Sequence, residues 1–124
     1  MAICLEIFPV LIEKISNPIL GNIYERDRLR FISNSFIIPL IIDPNTYEPR
    51  IEMNLLPPKI KLKFHNGGRL VTTRKDRNGQ ELKYMHAKYL KELPIPANTH
   101  VFDKAIMAYI KALPDETEII LYWS

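Results

Sequence analysis

A lone cysteine, Cys4, gives the chain no internal disulfide, and its neighbours Ile3 and Leu5 point to a buried thiol in a reducing compartment. Only four glycines occur, Gly21, Gly67, Gly68 and Gly79, and none sits in a glycine-rich loop after an early strand. That excludes a dinucleotide fold, so the Tyr-x-x-x-Lys spacing of Tyr84 and Lys88 carries no dehydrogenase meaning. Long hydrophobic runs are also missing. The best contender, residues 36–42, is seven residues long and contains Pro39, against ~20 for a membrane helix. No basic opening segment leads to a small-residue cleavage site, so a cytoplasmic protein with no membrane partner is expected.

Catalytic and metal motifs are equally sparse. The three histidines, His65, His86 and His100, are scattered and have no paired-histidine or Cys-x-x-Cys spacing, which argues against zinc. Gly-x-Ser-x-Gly is absent, and nothing near Cys4 in sequence would activate its thiol. Glu81-Leu82-Lys83 matches half of a nuclease-type Glu-x-Lys arrangement. The acid it would need is Asp76, too close across a tight turn, or the distant Asp43. No catalytic residue, metal ligand or cofactor is therefore assigned, and an enzyme is the less favoured reading.

What is present is a globular composition: 124 residues, 47% hydrophobic and 25% charged. One domain over residues 1–124 follows, long enough to bury roughly two-thirds of its unfolded surface. The clearest local signal is residues 59–77. Lys59, Lys61, Lys63 and His65 alternate with Ile60, Leu62 and Phe64, so a strand would carry its charge on one face and its apolar groups on the other. Asn66-Gly67-Gly68 then supplies a tight turn, and Val71, Thr72 and Thr73 suit the return strand.

Around this hairpin the chain predicts a strand over residues 2–8, a short helix over 9–16 and a connection over 21–27. A second hairpin is expected from the apolar runs 28–32 and 36–42, then an alternating strand over 50–55. Residues 80–93 fit either a further strand or a helix. Helical phase favours the helix, with Leu82, Met85, Tyr89 and Leu93 on one stripe. The last helix is capped by Asn98 or Thr99 and runs to Leu113, burying Phe102, Ala105, Ile106, Tyr109, Ile110 and Leu113. A terminal strand spans 118–123. The fold class is α+β: a mostly antiparallel sheet of about five or six strands with two C-terminal-half helices packed on one face.

Charge is the functional clue. Ten basic residues and two acids give residues 59–91 a formal +8, while the other seven basic residues and twelve acids amount to −5. A solvated face is one reading of that asymmetry. The other is a phosphate-binding surface for DNA or RNA with weak sequence preference, because no base-reading module is visible. Its expected residues are Lys59, Lys61, Lys63, Arg69, Arg74, Lys75, Arg77, Lys83, Lys88 and Lys91, with Tyr84 placed to stack on a base. The alternative is a non-catalytic protein that uses exposed sheet edges to bind an acidic protein partner or to assemble with itself. Ile119, Leu121 and Trp123 oppose Ile120 and Tyr122 on the terminal strand, so both of its faces need cover. A homodimer pairing through that strand would provide it.

Overall fold

The two-sided terminal strand organises the architecture. The computed structural model describes residues 4–10, 22–24, 28–32, 34–43, 45–46, 48–57 and 60–124. Among these the strands are β1 (Leu5–Val10), β2 (Asn22–Tyr24), β3 (Leu29–Arg30), β4 (Asn54–Leu55), β5 (Lys61–Asn66), β6 (Arg69–Thr73), β7 (Lys83–His86) and β8 (Glu118–Trp123). The helices are α1 (Asn34–Ile41), α2 (Ala87–Lys91) and α3 (Val101–Ala112). No helix among the described residues is long and apolar enough to cross a membrane.

Five strands form an antiparallel sheet in the order β3-β1-β8-β7-β4, and three form a second sheet in the order β2-β5-β6. In the second sheet β5 runs parallel to β2 and antiparallel to β6. Strand β8 is thus central, with Ile7 opposite Leu121 on one side and Met85 opposite Ile119 on the other. One parity of the main sheet, Leu5, Ile7, Met85, Ile119 and Leu121, packs on Ile37 and Ile41 of α1, Leu90 of α2, and Ile106, Met107 and Ile110 of α3. The other parity, Phe8, Ile120 and Tyr122, packs on Ile60, Leu62 and Phe64. The result is three layers: helices, main sheet, hairpin sheet.

This arrangement bears out the α+β class and corrects several local expectations. The hairpin forms as read, with both turn glycines at positive φ, 59° for Gly67 and 84° for Gly68, as a two-residue I′ turn requires. It builds its own sheet instead of joining the main one. Strand β8 is hydrogen-bonded on both edges and covered on both faces within the chain, so it offers no edge to a second copy. Both apolar faces of β8 are covered, as its double-sided pattern requires. The second cover is the hairpin.

Residues 80–93 are not one helix but strand β7 followed by the short α2. Leu82 and Met85 have opposite strand parity and enter opposite cores, and pairing with β8 and β4 outweighs the helical phase. The run 36–42 is helical where a strand was expected. Ile37 and Ile41, four apart, bury one helical face although Pro39 lies inside the helix. The alternating segment 50–55 pairs only over Asn54 and Leu55.

In α3 the buried stripe is Asp103, Ile106, Met107 and Ile110, which leaves Phe102 61% and Tyr109 38% exposed. Its rotation follows from Asp103, whose carboxylate accepts the Ile32 N–H at 2.7 Å. His100, not Asn98 or Thr99, caps the helix, its Nδ1 accepting the Phe102 N–H at 3.2 Å. The expected helix 9–16 falls outside the described residues beyond Val10, and Pro9 and Val10 belong to β1.

Candidate nucleic-acid interface

The eleven expected contact residues do not share one surface. Because Ile60, Leu62 and Phe64 turn into the core, strand alternation puts Lys61, Lys63 and His65 on the outer face of the hairpin sheet. Register adds Leu70, opposite His65, and Thr72, opposite Lys63, to that face. Arg69 stands exposed at the tip, opposite Asn66. No acidic residue occurs between Glu52 and Asp76, so neither hairpin strand carries a negative side chain. Lys75 and Arg77 follow, exposed, where the chain turns towards β7. Lys59 lies outside the described residues.

Arg74 is spent inside the protein. Its guanidinium donates to the carbonyls of Ile60 at 2.6 Å, Pro57 at 2.9 Å and Leu56 at 3.3 Å. It pins the chain where it passes from the main sheet to the hairpin sheet. This is a structural role that satisfies three carbonyls, and sequence spacing carried no sign of it.

Lys83, Lys88 and Lys91 belong to the opposite side of the stack. Lys83 has the parity of Met85, and α2 packs through Ala87 and Leu90 into the helix-side core. Lys91 is paired with Asp115 at 2.7 Å, and that hydrogen bond holds the Asp115 carboxyl below its ordinary range. Lys88 lies 5.3 Å from the Tyr89 ring centroid, beside a shallow depression of ≈ 340 Å³ bordered by His86, Lys88, Tyr89, Asp115 and Glu116. Tyr84 is half-buried against the hairpin-side core with its ring edge-on to His86 at 6.2 Å, so it is not a stacking platform among the lysines. The hairpin and the α2 region therefore present two separate basic patches, with the five-stranded sheet between them.

A polar cluster at the sheet–sheet junction went unread in the sequence. Glu6 is buried and bonded twice by Arg28, through Nε and, at 3.1 Å, through Nη2. Arg28 also donates to the His65 carbonyl at 2.9 Å and lies 5.1 Å from the Phe64 ring centroid. Partners 22 and 37 positions away leave no local signature. Beside them the Tyr122 hydroxyl is pushed above its ordinary pKa, chiefly by burial.

Asp76 uses its carboxylate to accept the N–H groups of Asn78 at 2.9 Å and Gln80 at 3.0 Å, closing the turn before β7. Glu81 is exposed in a bridge opposite Lys75, so the nuclease-type arrangement of Asp76, Glu81 and Lys83 is not assembled. Among the described residues no three His, Cys, Asp or Glu side chains are grouped to hold a metal ion.

Burial raises the Asp76 pKa from its ordinary 3.8, against the pull of the hydrogen bonds from Gln80 and Asn78. For an acid with a raised folded pKa, the folded state holds the proton more tightly. The contribution is fully present below pH 3.8 and is lost as pH rises through the folded value. Asp76→Asn keeps an acceptor oxygen and removes this titration. Its stability relative to the native chain should rise as pH increases from about 3 to about 6, as urea denaturation across that range would show.

Comparison with known proteins adds no relative. No family model matches the chain, and no curated protein or solved structure matches it either.

Proposed function

We propose that this protein binds DNA or RNA through the phosphate backbone, using the outer face and tip of the hairpin sheet. The observation that carries the reading is that Lys61, Lys63 and His65 align along β5, Arg69 stands exposed across the turn at the start of β6, and neither hairpin strand carries an acidic residue. Lys61 and Lys63 are two residues apart on β5, roughly 6.5 Å. Ammonium groups at that spacing can meet separate phosphates of one strand, each of which rises ~3.4 Å along the duplex axis. Lysine contacts of this kind go to phosphates, which position a nucleic acid without reading its sequence.

Fluorescence anisotropy with labelled single- and double-stranded oligonucleotides tests this. Three cations, Lys61, Lys63 and Arg69, imply a log–log salt slope of about −3 on duplex DNA. Replacing all three with serine should bring the slope near zero while circular dichroism stays unchanged. Replacing Lys83 and Lys88 with serine, on the far side of the main sheet, should leave the slope where it was. No binding at about 50 mM salt, or equal losses from the two sets, would remove the reading.

A further inference from the structure

Strand β6 is the longest open edge among the described residues. The main sheet ends in β3 and β4, two residues each, and the hairpin sheet in β2, with three, whereas β6 has five and among the described residues borders only β5. Its register fixes which groups are free. Asn66 and Arg69 close a two-residue turn and form a hydrogen-bonded pair, so Arg69, Val71 and Thr73 direct their backbone groups at β5. Leu70 and Thr72 direct theirs away from it. Further along that same outer edge the chain covers itself. The Arg74 carbonyl accepts the Leu82 N–H at 2.8 Å, and the Asp76 N–H donates to the Gln80 carbonyl at 2.8 Å. This cover stops short of Thr72. The strip has little of the usual protection, for its sequence Arg-Leu-Val-Thr-Thr holds a single charge, at its first residue, and no proline or bulge. Leu70 on it is 55% exposed.

We propose that two copies of this chain pair antiparallel through their β6 edges, about a two-fold axis at Val71. In that register Leu70 of each copy lies opposite Thr72 of the other, each pair exchanging both N–H···O bonds, about four in all. Val71 meets Val71, and Arg69 meets Thr73, so no like charges stand directly opposite. The rows holding Lys61 and Lys63 are separated by three strand spacings, roughly 14 Å, beyond the Debye length of about 8–10 Å at ordinary salt. The two hairpin sheets become one six-stranded sheet with a doubled basic face. The contact does not depend on nucleic acid.

Sedimentation velocity in about 0.5 M salt, without oligonucleotide, separates this from the phosphate-binding reading. A contact this small belongs to the weak class, so the sedimentation coefficient should rise between about 10 µM and about 1 mM protein. Thr72→Pro removes an N–H that faces outward and spares the bonds to β5, so it should abolish the rise while leaving the melting temperature of dilute protein nearly unchanged. Leu70→Lys alters only an exposed side chain and should weaken association, which keeps the test intact if the proline variant fails to fold. Amide exchange at Leu70 and Thr72 should be fast in dilute protein and protected in concentrated protein. A flat sedimentation coefficient up to about 1 mM, association unchanged in both variants, or protection gained only on adding an acidic peptide would overturn the proposal.

Discussion

Phe64→Ala is expected to destabilise the protein by about 3–5 kcal/mol, whereas Lys61→Ala, three residues earlier on the same strand, should change stability by less than about 0.5 kcal/mol. Phe64 is 2% exposed and sits at the centre of the hairpin-side core. Its ring meets Tyr122 edge-on at 5.1 Å and lies 6.2 Å from Phe8, so it touches two strands of the main sheet. Truncation would leave a cavity between two sheets, whose backbones are held by their own ladders and cannot close over the gap. Lys61 is exposed on the other face of β5 and contributes charge, not packing. Urea denaturation at one pH gives both values. Comparable losses would mean that the two faces of β5 have been assigned the wrong way round, and the phosphate-binding surface would go with them.

The legibility of the chain divides along the range of the interactions. The hairpin was readable because everything that defines it lies within residues 60–73: strict alternation, then Asn66-Gly67-Gly68 where positive φ is needed. The need to cover both sides of β8 was equally plain from its composition. What covers the second side was not, since Phe64 and Tyr122 are far apart in sequence and only the fold brings them together. Residues 80–93 carry a helical stripe that is real as a pattern, yet the slot between β8 and β4 takes residues 83–86 as a strand. The run 36–42 departs from its local pattern for the opposite reason. Its isoleucines favour a strand locally, but Ile37 and Ile41 gain more by filling the helix-side core together.

The basic segment shows the same division. Lys61, Lys63 and Arg69 are where alternation and turn geometry put them. Arg74 is not at the surface role its charge suggested, because three carbonyls of residues 56–60 claim its guanidinium. Counting charges along the chain gave +8; placing them in three layers divides that excess between two surfaces and the interior.

The coupling between Glu6 and Arg28 leaves no local signature in the sequence, and breaking it should be costly. Arg28→Ala leaves the Glu6 carboxylate, whose side chain is 5% exposed, between the two sheets without its cation. Arg28 also loses its bond to the His65 carbonyl and its place over the Phe64 ring. Removing one partner of a buried pair costs about 3–5 kcal/mol; with the Arg28 side chain 26% exposed, water recovers part of that, and about 2–4 kcal/mol is expected. Arg28→Lys keeps the charge but not the fork that reaches two carboxylate oxygens and a carbonyl, so its loss should fall between alanine and the native residue. The double variant Glu6→Leu with Arg28→Met replaces the pair by apolar groups and should recover most of the deficit. In the cycle of Glu6→Leu, Arg28→Met and the double variant, the coupling energy should exceed about 1 kcal/mol. Because Arg28 ties β5 to β1, amide exchange in Arg28→Ala should accelerate in the hairpin before it does in α3. Additive single losses within about 0.5 kcal/mol, or uniform acceleration across the chain, would show that the hairpin sheet is held by its apolar face alone.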